Sequence, residues 1–335
     1  MGEALFALGD HTSRVMKTPT ITEVGDEQRP AWRIIGASVR GASHLRAGLP
    51  NQDAIRWWPE SGTGLPLILA VSDGHGSAKC FRSDAGARYS VSAAITEMKD
   101  LLAGQPDPSN LSAIKRMAEE RLPQTVARTW ANTVNTHLEA NPFSTGELEA
   151  LESKEGLAAR QAVEANPLLA YGATILTVLI TELFILYLQL GDGDILVVSA
   201  AGEVTRPLPK EERLFGNETT SLCSRDAWRD FRIGFQALSS VPPALILVST
   251  DGYANSFRDE EGFCRVGSDL LEMLRADGVD QVRASLETWL THASQAGSGD
   301  DITLGVMCGM DALERSSVRP LSCDSSDAPT ALDGF

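Results

Sequence analysis

The sequence predicts an α+β fold in which two antiparallel β-sheets pack together and helices cover them. Three short apolar runs lie between residues 174 and 199, separated by turn signals, and this spacing indicates an antiparallel meander rather than βαβ units. Longer segments carry apolar residues at intervals of three and four, a pattern typical of amphipathic helices. Strand-rich and helix-rich segments in one chain therefore favour a two-sheet core flanked by helices.

Composition limits the classes of protein to consider. The chain has 335 residues, 43% of them hydrophobic, enough for one large domain or two modest ones. Its 45 acidic and 29 basic residues give a net charge of −16. Such a surface repels phosphate backbones and anionic lipids, so we expect binding to neither nucleic acid nor membrane. The five cysteines are scattered without CxxC spacing, and no secretory signal is apparent, which predicts a cytoplasmic protein without a zinc site.

The chain is predicted to form one main domain with two terminal segments. Residues 1–30 carry no periodicity and are interpreted as a flexible extension, whereas 309–335 form an acidic tail predicted to be disordered. The main domain then covers residues 31–308. Within it, 139–166 is interpreted as an exposed helical or loop insertion, and the polar stretch 202–240 as a flap over one sheet edge.

Apolar runs bounded by turn residues predict the strands. Thr174–Leu190 could be mistaken for a membrane span, but it is short and carries Glu182 near its middle. We therefore interpret it as two buried strands that join at a turn. The other predicted strands lie at 31–41, 53–58, 67–71, 195–199, 244–249 and 302–307.

Periodic apolar positions predict the helices. Ser83–Leu102 is predicted to be a helix because its apolar residues recur along one face. Asn110 is placed to cap a second helix, and Pro123 is predicted to begin a new helical piece. Two further helices are predicted over Ser268–Arg275 and Asp280–Ala293.

Four acidic positions share one local design. Asp73 and Asp251 each end a hydrophobic strand and precede glycine, whereas Asp53 and Asp300 open strands after loops. Strand ends on one side of a sandwich can converge, and converging carboxylates repel one another unless cations bind between them. These candidate ligands are all carboxylate oxygens, and the sequence shows no Cys or His cluster beside them. Such a site favours Mg²⁺ or Mn²⁺ over zinc. The alternative is that each Asp-Gly pair is only a turn.

The stretch Pro66–Ser77 combines a buried strand with reactive side chains. The strand ends in SDGHG, which would present Asp73 and His75 from a glycine turn at the end of a rigid sheet. Histidine is the side chain most easily poised to move a proton near neutral pH. The alternative for His75 is a turn histidine hydrogen-bonded to a neighbouring carboxylate.

Six segments in this order resemble the metal-dependent protein phosphatases, the type 2C serine/threonine phosphatases, and in particular their bacterial members. The resemblance covers residues 31 to about 308 and implies a four-layer α-β-β-α sandwich with a binuclear Mn²⁺ or Mg²⁺ centre at one end. The segments are SHLRAGLPNQDA, VSDGHGS, YGATIL, LGDGD, VSTDGYAN and SGDDITL.

The resemblance implies a role for each matching residue. Asp73 corresponds to the carboxylate that bridges both metals, and the Gly74 carbonyl to a ligand of one of them. Asp251 and Asp300 correspond to ligands of the other metal. Asp53 corresponds to a ligand or to an anchor behind the ligands.

The resemblance also implies two catalytic groups. His75 corresponds to the general acid that protonates the departing serine or threonine oxygen. The family usually places a phosphate-binding arginine five residues before the first aspartate, but Gly48 stands there in this chain. Arg46 and Arg40 are the nearby substitutes, and Arg46 is the one we predict.

Two further departures bear on a third metal site. Asn255 stands where the family often has an acidic residue, and Leu169 where a third-metal aspartate might be expected. The resemblance therefore supports two ions and leaves a third without its usual ligands. Asp192 in LGDGD is interpreted as a turn residue.

The function that the resemblance implies is hydrolysis of phosphoserine and phosphothreonine in proteins by hydroxide held on the metals. A phosphoprotein substrate and a partner Ser/Thr kinase are implied by the resemblance alone. Two other functions fit the sequence: a catalytically silent protein that binds phosphoprotein or metal as a regulator, and a hydrolase of small phosphate esters.

Overall fold

The structure is a computed structural model that describes residues 32–105, 107–209, 220–238 and 241–314. The predictions for residues 1–30 and for most of the acidic tail lie outside this part of the chain. The strands are β1 Trp32–Val39, β2 Ala54–Trp58, β3 Leu67–Ser72, β4 Ile175–Ile180, β5 Phe184–Leu190, β6 Asp194–Val198, β7 Val204–Thr205, β8 Arg232–Ala237, β9 Leu245–Ser249 and β10 Ile302–Gly309. The α-helices are α1 Ala42–Ala47, α2 Ser83–Ala103, α3 Leu111–Ala140, α4 Thr145–Glu155, α5 Leu157–Ala165, α6 Asp251–Ala254, α7 Glu260–Asp277, α8 Val279–Ala296 and α9 Met310–Glu314.

The strands form two five-stranded antiparallel sheets. The first has the order β1-β10-β9-β6-β7, and the second has the order β2-β3-β4-β5-β8. Helices α7 and α8 pack on the first sheet, and α2 and α3 pack on the second. This arrangement confirms the predicted sandwich of two antiparallel sheets flanked by helices.

Strand β3 shows why its sequence is apolar throughout. Leu67, Leu69 and Val71 face the core between the two sheets, whereas Ile68 and Ala70 face the helical layer. Alternate residues of a strand point to opposite faces, so a strand buried on both faces needs apolar residues at every position. The rigid strand thereby brings its last residues to one rim of the sandwich.

The predicted helices are present, but two boundaries were wrong, since α7 begins at Glu260 and not at Ser268, and no helix begins at Pro123. Asn110 caps α3, because its side-chain oxygen accepts a hydrogen bond from the Ala113 N–H at 3.1 Å. Pro123 does not begin a new helix; it lies inside α3, which continues to Ala140. Leu122 and Val126, on either side of the proline, are both buried in the core, and this packing outweighs the hydrogen bond that proline cannot donate.

The predicted three-strand meander is wrong in its third strand. β4 and β5 pair as expected, but β6 pairs with β9 in the other sheet. The edge of β5 is occupied instead by β8, which comes from the stretch interpreted as a flap. The turn at residues 191–193 therefore carries the chain from one sheet to the other.

The 139–166 stretch is helical and is attached to the loop that follows β3. Leu151 of α4 and Val163 of α5 are buried against the second sheet's helical layer. Glu147 of α4 forms a two-point ion pair with Arg82, from Nε at 2.7 Å and Nη2 at 2.9 Å. At the other end of α4, the Glu155 carboxylate accepts a hydrogen bond from the Ala78 N–H at 3.1 Å.

No helix in the described part of the chain combines the length and the apolar composition that crossing a bilayer requires. The apolar segment that could be mistaken for a membrane span forms β4 and β5, as predicted.

Candidate metal centre

Several chain turns meet in a polar cavity of about 670 Å³ at one rim of the sandwich. The contributing segments are the end of β3, the β5–β6 turn, the start of α6 and the loop before β10. They are separated in sequence but adjacent in space because the strands of both sheets end at this rim. The cavity is lined by six carboxylates: Asp73, Asp192, Asp194, Asp251, Asp300 and Asp301.

Three of these carboxylates form one close group. Asp73, Asp192 and Asp251 each offer an oxygen, and these oxygens all lie within 4.8 Å of one another. Only carboxylates contribute, so the donor set is the kind that Mg²⁺ and Mn²⁺ prefer. Among the described residues this is the one group of three or more potential ligands with that spacing.

Asp192 belongs to this group although its sequence was interpreted only as a turn. The residue follows β5 directly after one glycine and precedes another. Asp73 and Asp251 likewise follow a buried strand and precede glycine. The same local signal could therefore have identified Asp192 if the turn had been compared with the other strand ends.

The other predicted ligands occupy different places around the group. Gly74, His75 and Asp300 line the cavity, but Asp300 is outside the close group. Asp53 lies behind the cavity wall, where it is buried and its Oδ2 accepts a hydrogen bond from Thr250 Oγ1 at 2.8 Å. The resemblance implied a ligand or an anchor behind the ligands for Asp53, and its role stays a prediction.

Burial and mutual repulsion disfavour charge on these aspartates. Burial raises the pKa of Asp73 well above its ordinary value, and the nearby Asp53 and Asp251 raise it further. Burial also raises the pKa of Asp53, and it raises the pKa of Asp251 to about 6 with help from Asp192. A divalent cation would reverse this balance, because it stabilises the ionised carboxylates. The residues present thus fit the metal centre that the fold implies.

The raised pKa values predict that metal-free protein loses stability as the pH rises. A carboxyl whose pKa is higher in the folded state contributes stability below its unfolded value, and this contribution is lost as the pH rises through the folded value. For Asp251 the window runs from its ordinary 3.8 to about 6. Thermal unfolding in EDTA should therefore show Tm falling across this window, and the free energy of unfolding should fall by about 3 kcal/mol through Asp251.

Asp251→Asn provides the control for this pH dependence. The neutral side chain cannot titrate, so the variant should show a smaller fall in Tm than the parent protein over the same window. The same fall in both proteins would show that other acidic groups cause it.

The predicted arginines lie outside the cavity. Arg46 is exposed on α1 and does not line the cavity wall. Arg40 donates from Nη2 to the backbone oxygen of His44 at 3.2 Å. Among the described residues, no arginine or lysine lines the cavity, and its basic side chains are His44 and His75. Burial lowers the pKa of His75, and the negative Asp192 opposes this shift.

The fold is similar to those of several proteins of known structure. The sandwich fold is similar to that of bacterial serine phosphatases of known structure. One, described only as a bacterial serine phosphatase, is 13% identical and has a TM-score of 0.51, with 82% of this chain and 97% of that chain covered. Another, the serine/threonine phosphatase Stp1 from Staphylococcus aureus, is 12% identical and has a TM-score of 0.50, with 89% and 99% covered. At these identities the likeness shows the fold alone.

The family itself is shown by sequence. The profile of the family described as Protein phosphatase 2C matches residues 40–291, which is more than half of the chain. The chain therefore belongs to the protein phosphatase 2C family. No curated protein matches the sequence.

Proposed function

We propose that this protein is a Mn²⁺- or Mg²⁺-dependent phosphatase that removes phosphate from phosphoserine and phosphothreonine in protein substrates. The observation that carries the proposal is the group of Asp73, Asp192 and Asp251 at the cavity beside His75, in a chain of the protein phosphatase 2C family. The cavity is open and polar, as a site for a charged side chain on a protein surface needs to be.

Each residue of the cavity would have its own role in the reaction. Asp73, Asp192 and Asp251 would hold cations, with Asp300 available at the side of the same cavity. When bound, the ions would supply an activated water and offset the charge of the phosphoryl group. A cation-filled cavity would then attract the phosphate dianion that six free carboxylates would repel.

In this proposal His75 would act on the leaving group. Its backbone N–H donates to the Gly172 oxygen at 3.1 Å, which fixes the loop, and its ring lines the cavity. The Cδ2 atom lies 2.7 Å from where a Cβ would stand on Gly172, so the ring packs directly on that glycine. A histidine ring that lines the cavity could donate a proton to a departing serine or threonine oxygen.

Turnover of a phosphopeptide with Mn²⁺ tests the proposal. We expect release of phosphate in Mn²⁺, no release in excess EDTA, and recovery when Mn²⁺ is restored. Activity that persists in EDTA would contradict a metal-dependent reaction.

The same assay separates the other two functions that the sequence allowed. Faster turnover of p-nitrophenyl phosphate than of any phosphopeptide would indicate a hydrolase of small esters. Calorimetric binding of a phosphopeptide without turnover would indicate a silent regulatory protein. Either result would replace the proposed function.

A further inference from the structure

One loop begins and ends at the wall of the metal cavity. It covers residues 42–51, contains α1 and is here called the rim loop. Ser43 and His44 near its start line the cavity, and so does Gln52 directly after its end. The residues between them, 45–50, are all exposed. The rim loop therefore stands at the edge of the cavity, beside the path of any polypeptide whose phosphorylated side chain is bound inside.

Two leucines are exposed on the rim loop. Leu45 is 53% exposed and Leu49 is 40% exposed. The other exposed large apolar side chains of the described residues each lie alone on their own segments of the chain. They are Leu157, Leu183, Trp228, Val241 and Trp289. Single exposed apolar residues are ordinary on a protein surface, whereas neighbouring ones at the edge of a cavity indicate a place where another molecule binds.

The turn that ends α1 explains why Leu49 is exposed. Gly48 takes a left-handed conformation, with a φ of 71°, and its N–H donates to the Leu45 carbonyl at 3.4 Å. The Leu49 N–H donates to the His44 carbonyl at 3.0 Å. In a turn of this kind the residue after the glycine often packs on an apolar residue at the position that His44 occupies. Because a histidine of the cavity wall stands there, the turn gives Leu49 no apolar cover.

The rim loop is held in place at both ends. The buried Asp301 carboxylate accepts hydrogen bonds from the backbone N–H groups of Gly41 and Gln52, each at 2.6 Å. Ser43 donates to the Gly299 carbonyl from its backbone N–H at 2.8 Å and from its Oγ at 2.5 Å. A loop that is already ordered loses little entropy when a ligand covers its apolar side chains, and this favours binding.

We propose that Leu45 and Leu49 determine substrate specificity by packing against a large apolar residue next to the phosphorylated serine or threonine of the substrate. The cavity would take the phosphate group, and the two leucines would take the side chain beside it. The continuity of the rim loop with the cavity wall favours the substrate over any other partner for this surface. The proposal rests on the proposed function for the identity of the substrate, but peptide binding can be measured without turnover.

The test is calorimetric binding of two peptides to the full-length protein loaded with Mn²⁺. Both peptides carry a non-hydrolysable phosphonate analogue of phosphoserine. It is flanked on both sides by leucine in one peptide and by glutamine in the other. We expect the leucine peptide to bind about fivefold more tightly, because its apolar side chains leave water when they pack on Leu45 and Leu49.

A double variant assigns the preference to the rim loop. In the protein that combines Leu45→Ser with Leu49→Ser, the Kd of the leucine peptide should rise until it is close to that of the glutamine peptide. The ratio of the two Kd values is the readout, because a general disturbance of the cavity would weaken both peptides alike. Leu183→Ser is the matched control and should keep the preference of the parent, because Leu183 is 42% exposed in the β4–β5 turn at the opposite rim of the sandwich.

Three outcomes would overturn the inference: binding of neither peptide, equal binding of both by the parent protein, or a preference that the double variant retains. Self-association of the parent that the double variant abolishes would assign the leucines to a second copy of the chain and would overturn it as well. A preference that depends on Leu45 and Leu49, in a protein that releases no phosphate from phosphopeptides, would support the inference and refute the proposed function. Turnover of phosphopeptides without such a preference would do the reverse.

Discussion

Replacing Asp73 by asparagine is expected to reduce Mn²⁺-dependent phosphatase activity on the order of 10³-fold, the largest loss that we predict for a single side chain. Asp73 belongs to the close carboxylate group, and its neighbours Asp192 and Asp251 cannot hold a cation as firmly without it. The neutral amide is also a weaker ligand for Mg²⁺ or Mn²⁺ than the carboxylate.

The same substitution should stabilise the protein when no metal is present. Burial and the charges of Asp53 and Asp251 raise the pKa of Asp73, so its ionised form is unfavourable in the metal-free fold. We expect Asp73→Asn to have a higher Tm than the parent protein in EDTA at neutral pH. In Mn²⁺ the order should reverse, because a bound ion at 100 times its Kd stabilises the parent by about 2.7 kcal/mol.

Thermal unfolding and phosphopeptide turnover, each with and without Mn²⁺, test both parts of this prediction. Asp277→Asn is the control, because Asp277 is exposed at the end of α7 and outside the cavity. Undiminished turnover in Asp73→Asn, or equal stabilisation of both proteins by Mn²⁺, would contradict the role assigned to Asp73.

Gly86→Ala is expected to produce the largest loss of stability. A Cβ on Gly86 would lie 1.9 Å from the backbone oxygen of Tyr171 and 2.7 Å from its carbonyl carbon. Backbone atoms cannot rotate away as a side chain can, so α2 would have to separate from the 167–171 turn. We expect a cost of about 3 kcal/mol or more in the free energy of unfolding.

The consequences should reach the metal centre. The segment after Tyr171 holds the end of β3, because Thr174 N–H donates to the Asp73 carbonyl at 2.8 Å and Gly74 forms an isolated bridge with Ala173. Displacing this segment should therefore also weaken Mn²⁺ binding.

Urea unfolding of the metal-free variants measures the effect on stability. Gly146→Ala is the matched control, because Gly146 lies in α4 with open space where its Cβ would be. This control should be neutral or stabilised by up to about 1 kcal/mol, as expected when alanine replaces glycine in a helix. A Gly86→Ala protein as stable as the parent would show that α2 and the 167–171 turn are not in such close contact.

Features that depend on near neighbours in sequence could be predicted. The apolar run of β3 and its SDGHG ending place Asp73 at a strand end, and the side chain of Asn110 caps α3 as expected. Each follows from a rule that acts over a few residues: strand alternation, turn chemistry and capping. The two-sheet sandwich follows from the same local patterns taken together.

Features that depend on tertiary contacts could not be predicted from the sequence. The turn at 191–193 resembles a hairpin turn in sequence, yet β6 pairs with β9, because β8 occupies the edge of β5. That change of sheet is what brings Asp192 beside Asp73. The contact between His44 and Asp301 could not be predicted for a similar reason, since the two residues are 257 positions apart in the chain.

The account rests on one claim, that the carboxylates at this rim together hold divalent cations. The most direct measurement is a crystal structure of the protein soaked in Mn²⁺, with anomalous diffraction recorded at the manganese edge. We predict manganese density in contact with Asp73 and Asp251, in a cavity that His44 and His75 also line. Density confined to other surfaces, with the carboxylates of Asp73, Asp192 and Asp251 free of metal, would contradict the account.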